Sequence, residues 1–297
     1  MVIELDKLNK GLRFSIVKKK RKKIEQVKTA SIAYSQTGQE YLAANIFSDS
    51  NLLSISSEQA VLILAVHHND FQVNKIVTLV EEPNPQQLVS PLILKIIIDY
   101  QVRTGMKINY TIIDKKEKVL FETKKVNKLM PFYNPPPKKL SKVKQAQVSE
   151  NYSVVNQPRD IKSILKKYAL LGIERNFPTY DSASGYGTAI LTNRNNLYFG
   201  GQYGSFDKRI GLHSEMAVSV SVLMSNKREK ITHLGLVSTK YTDKPCEICG
   251  CCRQFLSEII QKFNYQIDFF CFARDNNFFK KYSINQLLPG QWSSKKW

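Results

Sequence analysis

The chain has 297 residues, room for about two domains at the usual ~100–200 residues each. Apolar residues make up 42%, enough for ordinary buried cores, but no stretch approaches the ~18 uninterrupted apolar residues of a membrane span. Composition thus excludes an integral membrane protein. The polar, then basic, N-terminus lacks the apolar core of a secretory signal and argues against secretion, so a soluble protein of the cytoplasm is expected. Lys and Arg number 44 against 25 Asp and Glu, a formal net charge of +19. Residues 1–150 hold 24 basic and 14 acidic side chains and the remainder 20 and 11, so the excess is no basic tail. Such a surface attracts polyanions in general. It is equally a property of Lys-rich compositions with no nucleic-acid role.

In chain order, the first landmark is the basic run at 18–23 (KKKRKK). Its simplest reading is a solvated helix face, with nuclear targeting or RNA contact as the alternatives. Strands are expected near 74–80 and 108–114. Residues 133–158 hold three consecutive prolines followed by a polar, Lys-rich stretch, and read as a linker. Beyond it, residues 160–172 place apolar side chains at helical spacing and stop at Gly172. Residues 186–192 and 196–200 are short apolar runs separated by 193–195, a hairpin pattern. Helix is expected over 213–224, strand over 231–238, helix over 249–262 and buried strand over 266–273. Helix, two strands, then alternating helix and strand implies a layered α/β sandwich with a mixed sheet.

The two sides of the linker repeat each other. Residues 56–68 (SSEQAVLILAVHH) match residues 213–225 (HSEMAVSVSVLMS) through S-E-x-A-V, Glu58 falling on Glu215 at an offset of 157. The same offset carries Leu92 onto Cys249 and Lys95 onto Cys252. The Leu-Met-Pro ending at Pro131 resembles the Leu-Leu-Pro ending at Pro289. This predicts a duplicated domain: a degenerate copy over 1–132, a linker over 133–158 and an intact copy over 159–297.

The chemistry lies in the second copy. Four of the five cysteines, Cys246, Cys249, Cys251 and Cys252, fall within seven residues. A disulfide framework would spread them along the chain, so this packing points to metal ligands in a reducing compartment. One imidazole and two thiolates leave a zinc ion formally neutral, with a fourth position open to water. Cysteines at i and i+3 share a helix face, and a helix N-terminus favours the thiolate. Glu215, two residues after His213, can take a proton from water and deliver it to a leaving nitrogen. His213-Ser214-Glu215 followed by Pro245-Cys246-Glu247-Ile248-Cys249 is the zinc-deaminase pattern H-x-E with P-C-x-x-C.

The second half resembles the cytidine deaminase family on His213-Ser214-Glu215, on Cys249-Gly250-Cys251-Cys252-Arg253-Gln254 and on Gln286-Leu287-Leu288-Pro289. The resemblance covers roughly residues 160–292 and, more faintly, 25–132. It implies tandem three-layer α/β/α sandwiches with mixed sheets, a Zn²⁺ cofactor, Glu215 as the catalytic acid/base, and a homodimer of double-domain chains. The intact copy comes second here, whereas bacterial double-domain members carry it first. Two thiol pairs have the right spacing: Pro245 favours Cys246 with Cys249, while the Cys-Arg-Gln ending and the repeat register favour Cys249 with Cys252. The second pair is the preferred ligand set beside His213, and a closed site that adds Cys246 is the alternative. Cys251 and Cys271 read as packing residues, and His67, His68 and His233 as ordinary histidines. In the first copy Ser56, Leu92 and Lys95 stand at the ligand positions, so it cannot bind zinc, and Glu58 is not catalytic by itself. That copy is expected to serve as a scaffold or an interface.

The family's sugar clamp falls on Gln202 and Gly204, and its base-packing position falls near Ser184. Gln202 and Ser184 are thus the substrate-binding candidates, and Gly204 opens the 3′ side. The substrate implied is cytidine or deoxycytidine. Cytosine within RNA or single-stranded DNA is the alternative, supported by +19, by Gly204, and by Tyr198, Phe199, Tyr203 and Phe206 as stacking platforms. Strand packing is the simpler reading of those aromatics. A non-catalytic zinc-stabilised binding protein is the third reading.

Overall fold

The structure, a computed structural model, describes residues 5–16, 27–50, 52–82, 89–135, 149–155, 160–177, 184–225 and 229–290. The basic run at 18–23 lies outside them. The chain divides into two compact units, one of residues 1–65, 69–148 and 205–210, the other of 66–68, 149–204 and 211–297. No helix among the described residues is long and apolar enough to cross a membrane.

The first unit runs α1 (Leu5–Leu12), β1 (Thr29–Ser35), β2 (Glu40–Ala44), α2 (Ser57–His67), β3 (Val73–Val80), α3 (Pro91–Thr104), β4 (Asn109–Ile113) and β5 (Val119–Thr123). Its sheet has the order β2-β1-β3-β4-β5, parallel only between β3 and β4. The second unit runs β6 (Tyr152–Val154), α4 (Ile161–Glu174), β7 (Tyr186–Thr192), β8 (Asn196–Gly201), α5 (Ser214–Leu223), β9 (Ile231–Ser238), α6 (Gly250–Phe263), β10 (Asp268–Phe272), β11 (Phe279–Tyr282) and α7 (Ile284–Leu287). Its sheet reads β6-β8-β7-β9-β10-β11, again parallel at one pair, β9 and β10. Five strands thus repeat in order and sense. β6 is additional, and it falls inside the stretch the sequence marks as linker.

Both units are three-layered, and neighbouring residues on one strand show it. Gly187 of β7 lies against Ala169 of α4, whereas Thr188 hydrogen-bonds Ser214 of α5 at 2.8 Å. Successive strand residues face opposite sides, so α4 and α5 cover opposite faces of the sheet. In the first unit Ala30 and Ile32 pack on Leu8 and Leu12 of α1, while Ser31 hydrogen-bonds Ser57 of α2 at 2.8 Å. Burial on both faces explains the near-continuous apolar runs of β7 and β8.

Pairing register corrects the alignment of the two copies. Ser31 pairs with Thr78 as Thr188 pairs with Leu236, and Ile76 pairs with Tyr110 as Leu234 pairs with Phe269. The offset therefore grows from 157 at β1 to 158 at β3 and 159 at β4. The helix starts agree: the N-cap of α3 is Ser90 and that of α6 is Cys249. Ser90 and Ile93, not Leu92 and Lys95, stand where the second unit has Cys249 and Cys252. Insertions in the connecting loops broke the constant offset read from the motifs.

Gly172 is not a helix stop, because α4 continues through Glu174. It is a close-approach residue: a Cβ there would sit 2.5 Å from the Gly200 carbonyl oxygen, and one on Gly187 would overlap the Ala169 carbonyl. Backbone meets backbone at this crossing. Gly187→Ala should destabilise the chain by about 1–3 kcal/mol through overpacking. Gly290→Ala, with open space around it, should leave stability within ~0.5 kcal/mol. Urea denaturation midpoints of the two variants test the pair.

Candidate metal centre

Two helix N-termini build the site. His213 is the N-cap of α5 and Cys249 the N-cap of α6, both with extended backbone. His213 makes no capping bond with its side chain, so the ring is committed elsewhere. Cys249 Sγ accepts from the backbone N–H of Cys252 at 3.5 Å. This capping bond places the thiols of the N-cap and the third helical residue on one side of the helix. Cys249 Sγ lies 3.1 Å from His213 Nδ1. One ligand atom from each of His213, Cys249 and Cys252 lies within 4.8 Å of the others. His213 is exposed, Cys249 half-buried and Cys252 fully buried, so the trio spans from solvent to core.

The electrostatics suit a soft cation. Hydrogen bonds with Cys252 and His213 draw the Cys249 thiol down to about 4. The hydrogen bond with Cys249 raises His213 to about 9, and the hydrogen bond with Cys249 together with burial holds Cys252 well above the ordinary thiol range. The three groups share protons that a divalent cation would displace. Two sulfurs and an imidazole nitrogen, with no fourth protein donor among the described residues, are the donor chemistry of an open zinc site. Zinc fits these residues.

Glu215 lies in the first turn of α5, 2% exposed. Burial raises its pKa. The Ser214 hydroxyl donates to its Oε2 at 3.2 Å, and Ser214 in turn receives the Thr188 hydroxyl at 2.8 Å.

The remaining cysteines lie apart from this cluster. Cys246 is buried and pushed up to about 12 by burial, its thiol directed at the carbonyl oxygens of Leu236 (3.5 Å) and Phe272 (3.9 Å). Cys251 is exposed, and Cys271 is buried in β10. His67 is buried and lowered to about 4 by that burial, and His233 rests beside Thr232 at 3.0 Å. Neither is part of the cluster.

Gln202 and Ser184 meet each other. Gln202 is buried and its Nε2 donates to the Ser184 carbonyl oxygen at 3.4 Å. Tyr186, two residues on, lies nearly parallel to the His213 ring at 6° and 6.4 Å. The Gly204 N–H is taken by the Phe177 carbonyl oxygen at 2.6 Å. Tyr198, Phe199 and Tyr203 are buried and so pack strands rather than offer faces to bases, while Phe206 is exposed.

Two supporting residues were given no role by the sequence reading. Tyr186 is one. Arg253 is the other: its Nε donates to the Ile248 carbonyl oxygen at 2.6 Å and Nη1 to the Leu287 carbonyl oxygen at 3.0 Å. It ties the loop entering Cys249 to the Leu-Leu-Pro segment. Only the motif order carried this signal.

No protein-family model matches the chain, and no curated protein matches it. Among solved structures it is similar to the cytidine deaminases of Burkholderia pseudomallei (20% identity, TM-score 0.39), Mycobacterium leprae (20%, 0.34) and Mycobacterium tuberculosis (19%, 0.37). The matches cover 44–45% of this chain and 98% of each of those proteins.

The geometry predicts one zinc per chain by elemental analysis. Cys249→Ala and Cys252→Ala should lose it, and Cys246→Ala should retain it. Arg253→Ala should weaken metal affinity by about 10–100-fold, the usual cost of losing a residue that orients a ligand.

Proposed function

We propose that the second unit is a zinc-dependent hydrolytic deaminase of cytosine nucleosides, converting cytidine or deoxycytidine to the uracil nucleoside and ammonia. The observation that carries this reading is the 3.1 Å approach of Cys249 to His213, with Cys252 beside them and buried Glu215 one step along the same helix. His213, Cys249 and Cys252 would hold the metal. When bound, a zinc ion with an open position supplies a water acidic enough to ionise near neutral pH. Glu215 would carry two protons in turn: the first, taken from the attacking water, goes to the ring nitrogen, and the second, taken from the hydroxyl added at C4, goes to the amino nitrogen as the C–N bond breaks, so that ammonia leaves as a neutral molecule. Ser214 and Thr188 hold the carboxyl in position through their hydroxyl chain. Burial raises the carboxyl's proton affinity, the direction that accepting and then donating a proton requires. Tyr186, stacked beside His213, and the mutually bonded pair Gln202 and Ser184 would contact sugar and base.

The charge of +19 supports a second reading, in which the cytosine lies within RNA or single-stranded DNA. Ammonia release from cytidine, set beside conversion of a cytosine-containing oligonucleotide, separates the two. The proposal expects turnover of the free nucleoside; conversion of the oligonucleotide alone would reject it. Glu215→Gln should retain zinc and lose at least ~10²–10⁴-fold in kcat, and unchanged turnover would remove Glu215 from the mechanism.

A further inference from the structure

The first unit keeps a cavity where the second has its metal cluster. Its volume is about 230 Å³, and Ser56, Glu58, Ser90 and Ile93 are among its lining residues. These are the counterparts of His213, Glu215, Cys249 and Cys252 in the corrected register. The copy has lost every metal ligand and retained the carboxylate.

That carboxylate has been given new partners. Glu58 is 2% exposed, and its Oε1 accepts from Tyr110 Oη at 2.8 Å and Thr78 Oγ1 at 2.9 Å. The matching residues of the second unit are Phe269 and Leu236, which offer no donor. A buried carboxylate left without donors is costly, and a degenerate copy under no constraint would be expected to replace it with an apolar residue. Here two hydroxyl-bearing side chains instead donate to it and hold it in place. Among the described residues Oε2 accepts from the Ser57 hydroxyl alone, at 3.3 Å, which leaves it acceptor capacity. Asn45, Thr29 and Thr78 add amide and hydroxyl groups to the lining, and Ile93, Ile112 and Val80 supply apolar walls. Glu82 is a second carboxylate, and none of the described lining residues is basic. A phosphate would find no cation here, whereas adjacent N–H donors on a planar apolar ring would find an acceptor and walls. The volume lies just below the usual range for ligand sites, which suits one ring system with a small substituent.

We propose that this cavity is a metal-free binding site for a small amino-substituted nitrogen heterocycle, neutral or cationic and without phosphate, anchored by Glu58. The inference stands on the first unit alone and does not depend on the deaminase reading of the second.

The test uses 2-aminopyridine, a cyclic amidine, as the probe and pyridine-2-carboxylate as the anionic control, on the full chain. Binding is read by titration calorimetry, and hydrogen exchange locates it by protection of residues 54–60 and 90–94. The site should take the amine at least tenfold more tightly than the carboxylate. Glu58→Gln keeps an acceptor for Tyr110 and Thr78, and should weaken the amine at least tenfold. Leu92→Trp, at an exposed lining position, should block the cavity without disturbing the fold. Both variants should leave ammonia release by the second unit within twofold of the unmodified chain. Absence of protection at millimolar probe would overturn the proposal, as would protection unchanged in both variants or equal affinity for the carboxylate. A chain that binds the probe here but releases no ammonia would reject the deaminase reading and leave this one standing.

Discussion

The approach of Cys249 Sγ to His213 Nδ1 joins two helix starts that lie 36 residues apart, and the candidate chemistry depends on that meeting. The sheet makes it unavoidable. β9 and β10 are parallel neighbours, α5 leads into one and α6 into the other, so both helices begin at the same end of the sheet. N-terminal backbone N–H groups and helix dipoles then converge where sulfur must be anionic. The fold supplies the electrostatics, and the sequence needs only to place donors at two cap positions.

Close packing keeps the arrangement rigid. The glycines of α4, β7 and β8 let a helix rest directly on strand backbone, which fixes the sheet that carries both caps. Arg253 fixes the remaining freedom, the loop that enters Cys249, by donating both to its carbonyl at Ile248 and to the Leu287 carbonyl at the end of α7. Thr188, on the face of β7 opposite Gly187, steadies Glu215 through Ser214. One strand thus serves packing on one side and the site on the other.

Much of this was legible in the sequence where local pattern and tertiary role agree. The strands over 186–192 and 231–238 appear with those bounds, because apolar runs between turn residues describe strands buried on both faces. The His213 and Cys249 motifs lie at helix starts, where their spacing puts them. What pattern could not carry was loop length and close approach. The α3 alignment slipped by two residues because insertions do not mark themselves in a repeat, and Gly172 read as a stop because a glycine's reason for being small lies in another element. Tyr110 and Thr78 were invisible as partners of Glu58 for the same reason: strand register, not spacing, brings them to it.

The two copies illustrate one carboxylate under two regimes. Glu215 sits beside three candidate metal donors and the Ser214 hydroxyl, while Glu58 sits, among the described residues, beside no such cluster and is clamped by two further hydroxyls. The account rests on the first of these being next to an open metal site. X-ray absorption at the zinc edge, on protein purified without chelator, measures that most directly. The account predicts two sulfur ligands and one imidazole nitrogen, with a fourth, lighter oxygen ligand from solvent. A first shell of three sulfurs and one nitrogen, or protein that binds no zinc at all, would contradict it.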